Sequence, residues 1–173
     1  MKLEESQTFQ KEIKIIDVQT GEVNTGTKGT ILRSSAIGSC VVVAAYDLKA
    51  QIGGLAHIML PGKAPENTNY QKTRYANDAI EDLINKINLN GAEDNNIEVC
   101  LIGGANVLNR ENDSIARDNI NSVFEILKKR KLLIREKSLS GMERRSALLN
   151  IETGCLNYTI GDGAEMILWN FVD

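Results

Sequence analysis

The run Cys40-Val41-Val42-Val43-Ala44-Ala45-Tyr46 constrains this chain more than any other stretch. It carries no charge and is short and rich in small and β-branched side chains, so it reads as one buried strand. Ile52 to Met59 reads as a second strand, with Asp47-Leu48-Lys49-Ala50 as a tight turn between them. If the turn centres on Leu48 and Lys49, opposed residues have numbers that sum to 97, and Cys40 lies opposite His57. Directly opposed residues of an antiparallel pair hold their Cβ atoms about 4.5–5.5 Å apart on one face, a good separation for a thiol and an imidazole. A bulge at Gly53-Gly54 would shift that register.

His57 is the only histidine of the chain, so any mechanism that needs an imidazole must use it. Cys40 follows Gly38-Ser39 at the mouth of its strand, where a thiol can sit at a surface edge while the strand is buried. The thiolate is the nucleophile in such a pair, and a neighbouring imidazolium lowers the thiol pKa. The same histidine can then protonate a leaving amine. The amides around Gly38, Ser39 and Cys40 are candidates for an oxyanion hole, because a glycine turn can aim consecutive N–H groups at one point. A third group usually orients the imidazole, and Ser34 and Ser35 are the candidates on the preceding segment. Cys100, inside an apolar strand, and Cys155, after a turn, read as structural.

Composition narrows the remaining classes. A chain of 173 residues fits one domain, residues 1–173, with a polar and loose start over Met1 to Gln10. Three cysteines without short spacing make neither a disulfide framework nor a zinc site, and the chain has few other ligands, so no metal is expected. Gly103-Gly104 lacks the spacing of a dinucleotide fingerprint and no phosphate-cradling loop occurs, so no cofactor is expected. The net charge of −3, with Lys and Arg spread along the chain, argues against a nucleic-acid partner. The acidic start is no signal peptide, and no apolar run approaches the ~20 residues of a membrane helix. A reducing cytosol, where a thiol stays free, is the expected compartment.

The other elements follow from periodicity. Glu12 to Val18 reads as a strand, followed by a Gly/Thr-rich link over Asn24 to Thr30. Pro61 to Lys72 is a long loop. Thr73 to Asn90 is a helix on Ile80, Leu83, Ile84 and Ile87, and near Ser114 to Lys131 is a second on Ile120, Val123, Phe124 and Leu127. Asn95 to Leu101 is a strand that runs into Ile102-Gly103-Gly104-Ala105. Four more strands follow: Leu132 to Lys137, Ser146 to Ile151, Cys155 to Ile160 and Glu165 to Phe171. Lys128 to Lys131 reads as a solvated helix end, where cations suit the dipole. The pattern suggests a layered α+β or α/β sandwich with two main helices.

Ile37-Gly38-Ser39-Cys40-Val41, followed by Gly53-Gly54-Leu55-Ala56-His57-Ile58-Met59-Leu60-Pro61, resembles the chemoreceptor glutamine deamidase family of bacterial chemotaxis (CheD). Tyr75-Ala76-Asn77-Asp78-Ala79-Ile80, Ile102-Gly103-Gly104-Ala105 and Gly141-Met142-Glu143-Arg144-Arg145 extend the resemblance over most of the chain. It implies an α/β sandwich of mixed sheets with the cysteine and histidine on adjacent strands. It also implies a cysteine hydrolase that converts receptor glutamines to glutamate and releases ammonia. By this similarity Cys40 is the nucleophile, His57 its base and acid, and Ser34 the third member, where the family usually has threonine. Gly38, Ser39, Gly103 and Gly104 become candidates for oxyanion or substrate binding. Arg144 and Ser140 stand where glycine is common in the family. The implied partners are the cytoplasmic helices of chemoreceptors and a CheC-type response-regulator phosphatase. The alternatives are a non-catalytic regulatory module that docks such a phosphatase or receptor, and an amidase for a small amide.

Overall fold

The computed structural model describes residues 12–68 and 70–173, and the loose segment expected over Met1 to Gln10 lies outside them. In chain order the elements are β1 (Lys14–Asp17), β2 (Val23–Gly26), β3 (Thr30–Ile37), β4 (Val41–Asp47), β5 (Ile52–Ile58), α1 (Ala76–Leu89), β6 (Ile97–Gly103), α2 (Ile115–Lys129), β7 (Leu133–Leu139), β8 (Arg145–Asn150), β9 (Cys155–Ile160) and β10 (Met166–Asn170). One sheet has the order β1-β3-β8-β9-β10, the other β2-β5-β4-β6-β7. Both are mixed, because β1 runs parallel to β3 and β7 parallel to β6. This is a layered α/β sandwich, one of the two architectures the pattern left open and the one the resemblance implied. Among the described residues no helix is long and apolar enough to cross a membrane.

The charge-free run explains the layering. Alternate residues of β4 point to opposite faces, and both faces are covered. Val42, Ala44 and Tyr46 pack between the sheets with Leu32, Leu55, Ala147 and Leu149. Val41, Val43 and Ala45 pack beneath the helices with Ile80, Leu83, Val123 and Leu127. The part of the strand covered on both faces carries no charge, and Asp47, buried at its end, has its carboxylate met by the amides of Lys49, Ala50 and Glu93. Gly54 is small for the same reason, since a Cβ there would stand 2.5 Å from the Leu83 side chain of α1.

Two expectations are corrected. The β4–β5 hairpin has no bulge at Gly53-Gly54, but its register sums to 99 rather than 97: Val42, not Cys40, lies opposite His57. The cause is the turn. Asp47 Oδ1 accepts the amides of Lys49 and Ala50 at 2.8 and 3.0 Å, Gln51 takes a left-handed φ of +53°, and the pairing closes at Asp47 and Ile52. A slip of two residues preserves the face, so Cys40 and His57 stay on the inter-sheet side and become diagonal neighbours. The segment read as a link is the second correction. Val23–Gly26 forms β2 on β5, and Thr30–Ile37 forms β3 between β1 and β8. An edge strand this short needs little apolar content to pair.

Ser140, in the turn after β7, has φ +67°. A left-handed φ costs a side-chain-bearing residue about 1–2 kcal/mol, a cost that glycine at this position would not carry. Ser140→Gly is therefore expected to raise the unfolding free energy by about 1 kcal/mol in urea titration, part of the relief being offset by the freer unfolded chain.

Candidate functional site

Three strands deliver the site to one end of the inter-sheet layer. Along β3, Leu32 and Ser34 point inward, while Arg33 and Ser35 are exposed. The β3–β8 register places Ser34 on Ala147 and Ile37 on Arg145, so β3 spends one extra residue between those pairs. Ala36 takes φ +54° inside this bulge. The bulge ends the regular strand and swings Gly38, Ser39 and Cys40 across from one sheet to the other, a common use of such irregularities. Cys40 sits one residue before β4 and His57 lies in β5, the neighbouring strand.

Ser34 and His57 meet. Each is about 1% exposed, and Ser34 Oγ lies 2.8 Å from His57 Nδ1. The same Oγ lies 2.8 Å from the Val18 carbonyl. A carbonyl cannot donate, so the single hydroxyl proton goes to Val18 O. Ser34 Oγ then accepts the Nδ1–H of the imidazole. That assignment leaves Nε2 unprotonated in the neutral ring. Nε2 is buried and makes no hydrogen bond among the described residues. Ser35, the other candidate, faces away. The serine lacks the methyl of threonine, yet two hydrogen bonds fix its rotamer.

Burial pushes the His57 imidazole below its ordinary value of 6.5, with the Val18 carbonyl and the Glu22 carboxylate acting in the opposite direction. Burial also pushes the Cys40 thiol up, its own amide partly opposing. This corrects the expectation of a low thiol pKa. The half-buried thiol makes no hydrogen bond to His57 among the described residues, and a neutral imidazole offers it no charge. Both directions favour the uncharged forms, thiol and imidazole. Cys100 is fully buried and its thiol is pushed up to about 12. Cys155 donates to Asn157 Oδ1 at 3.0 Å.

The Gly38–Cys40 loop is held by its carbonyls. Gly38 O accepts from Ala105 N at 2.8 Å, Ser39 O from Asn119 Nδ2 at 2.9 Å, and Cys40 O from Gly104 N at 2.7 Å. The amides of Gly38, Ser39 and Cys40 donate to nothing among the described residues. Gly103 and Gly104 lie beneath this loop. A Cβ on Gly103, whose φ is +120°, would stand 2.3 Å from the Cys40 carbonyl oxygen, so only glycine admits the loop so close. The Gly104 amide is spent on that carbonyl and is not free for an oxyanion. A cleft of about 90 Å³ opens against Gly38 and Ser39, between Ala105–Leu108 and Ala116. Through Asn106 and Asp113 it adjoins a groove of about 340 Å³ along α2, which Arg117 and Asn121 also line.

The sequence reading missed Asn119, fully buried on α2. It falls in the apolar stripe of that helix, between Ala116 and Val123. A polar residue at an apolar position was the available signal.

A family model described as CheD chemotactic sensory transduction matches residues 59–159, starting just beyond His57. A Chlorobium luteolum protein named probable chemoreceptor glutamine deamidase CheD is 42% identical over 152 residues, which cover 88% of this chain and 76% of that one. A Methanococcus vannielii protein of the same name is 30% identical over 154 residues, 88% of this chain and 97% of its own. The crystal structure of Bacillus licheniformis hypothetical protein YfiH is 16% identical, with a TM-score of 0.34 over 65% of this chain and 44% of its own, too low to bear on the fold.

Proposed function

This chain belongs to the CheD family, and we propose that it hydrolyses glutamine side chains of chemoreceptors to glutamate, with Cys40 as nucleophile. The observation that carries the mechanism is the Ser34–His57 pair, which leaves Nε2 as a buried lone pair on the face shared with Cys40. An unmet buried polar atom costs about 1–3 kcal/mol, and a base waiting for a proton accounts for the cost. The dyad acts by general base catalysis rather than as a standing ion pair. Nε2 takes the proton of Cys40 as Sγ bonds to the side-chain carbonyl carbon. The carbonyl oxygen becomes an oxyanion facing the free amides of Gly38, Ser39 and Cys40. His57 returns the proton to the amide nitrogen, the C–N bond breaks and ammonia leaves a thioester on Cys40. Water then gives its proton to Nε2 and attacks the thioester carbon. The C–S bond breaks, Sγ recovers the proton and glutamate is released.

Gly103 and Gly104 act in this scheme by shaping the loop. The cleft against Gly38 and Ser39 and the groove along α2 offer room beside the Cys40 loop for a polypeptide that carries the glutamine. The site draws on β3, β4, β5, β6 and α2 together, so the described residues work as one unit. A cytoplasmic location suits both a free thiol and the receptor helices, and a CheC-type phosphatase is a partner to test by binding.

Ammonia release separates the readings. A chemoreceptor cytoplasmic fragment should yield ammonia and free glutamine should not. Equal turnover of both would point to a small-amide amidase, and binding without ammonia to a regulatory module. Ser34→Ala removes the acceptor that selects the Nδ1–H tautomer. It should lower kcat on the order of tenfold to hundredfold, while Ser34→Thr keeps the hydroxyl and the rate.

A further inference from the structure

We propose that Asn119 is a positioning residue that sets the gap between the Cys40 loop and the His57 strand, an inference that rests on the deamidase reading above. The β4–β5 ladder stops at Val41 and Ile58. Past that pair the two chains part. Met59 and Leu60 turn away, both amides donating to Arg74 O at 2.9 Å. On the other side Cys40 O is taken by Gly104 N. The splay frees the loop amides, but it also strips Ser39 O and Met59 O of the cross-strand donors that a continued ladder would supply.

Asn119 closes that opening. Its Nδ2 donates to Ser39 O at 2.9 Å and to Met59 O at 3.0 Å, so the two protons of one amide join the residue before Cys40 to the chain two residues past His57. The orientation follows from chemistry, because turning the amide over would set Oδ1 against two carbonyl oxygens. Oδ1 is instead left buried without a partner among the described residues. The residue is fully buried in a helix whose neighbouring core positions are Ala116, Val123 and Leu127. An apolar side chain would fill that position at lower cost, but it could not bridge the two carbonyls. The clamp fixes the distance over which the Cys40 proton reaches Nε2.

The full-length chain tests this with Asn119→Leu, which removes both donors at similar size, and Asn119→Asp, which keeps the shape and at most one donor. Val123→Ala, one turn further along α2 in the helix-side core, serves as the control for lost stability. The readouts are kcat and KM on a receptor fragment, and the pH profile of Cys40 alkylation by iodoacetamide. Both Asn119 variants are expected to lose about 100-fold in kcat at unchanged KM, as misplaced groups do. The midpoint of Cys40 alkylation should move to higher pH, while Val123→Ala lowers Tm and moves neither. Asn119 variants that match Val123→Ala in kcat and keep the wild-type alkylation profile would overturn the proposal. If the leucine variant does not fold, the aspartate variant decides by the same readouts. Alkylation needs no substrate, so a wild type inactive on receptors would sink the deamidase reading while the profile still judges Asn119.

Discussion

Cys40→Ser lowers ammonia release from a receptor fragment by about 10³-fold or more, the loss expected when a covalent catalyst is deprived of its nucleophile, and leaves the protein folded. The fold is spared because Cys40 is only partly buried and stands outside β4, in a loop held by carbonyl hydrogen bonds rather than by the thiol. A serine hydroxyl in its place needs a stronger base than a neutral imidazole to become nucleophilic. Cys100→Ser should do the reverse. Cys100 packs fully buried between the sheets with Ile102 and Leu149, and a hydroxyl there costs about 1–3 kcal/mol while the site is untouched. One substitution at two cysteines thus separates chemistry from stability, read by ammonia assay and thermal melt on the same samples.

Loss of the imidazole has the second-largest effect. His57→Gln keeps a buried polar side chain but supplies no base, and should cost about 10²–10⁴-fold in kcat/KM. The pH profile carries the sharper test. The base works in its neutral form, which exists above the folded-state pKa, and burial holds that pKa below 6.5. Wild-type activity should therefore persist as pH falls through 6.5 and disappear only below it. Stability follows the same sign. Between the folded pKa and 6.5 the unfolded chain binds more protons, so stability falls as pH drops through that window. In His57→Gln the acid limb should vanish. Residual reactivity of Cys40 should then rise only with the ionisation of the thiol itself, which burial has moved upward. A standing thiolate–imidazolium pair would instead keep Cys40 reactive well into acid.

Much of this was legible in the sequence, and the failures have physical causes. The charge-free run over Val41–Ala45 announced a strand covered on both faces, and the apolar spacing of α1 and α2 located both helices to within a few residues. The hairpin register was misjudged because Asp47 caps two amides of its own turn, a side-chain contact that composition does not specify. The error was harmless because it spanned two residues, which returns every side chain to its face. β2 and the start of β3 were hidden because Asn24, Thr25 and Gly26 carry no apolar signal and hold their place through pairing with β5. Around the site, a lone histidine and a cysteine after a glycine turn drew attention to residues that the fold brings to one end of the inter-sheet layer. Three things needed the folded chain: the proton route through Ser34 to Val18, the burial that favours the uncharged forms of both partners, and the Asn119 bridge. Each depends on residues far apart in sequence, and on burial that sets which charge state survives.

The mass of a chemoreceptor cytoplasmic fragment, after incubation with wild type beside Cys40→Ser, decides whether Cys40 deamidates receptor glutamines. Wild type should add about one dalton at particular glutamines, an amide exchanged for an acid through the Cys40 thioester, and the variant should add none. An unchanged fragment with wild type, or the same gain with both proteins, would contradict Cys40-dependent deamidation.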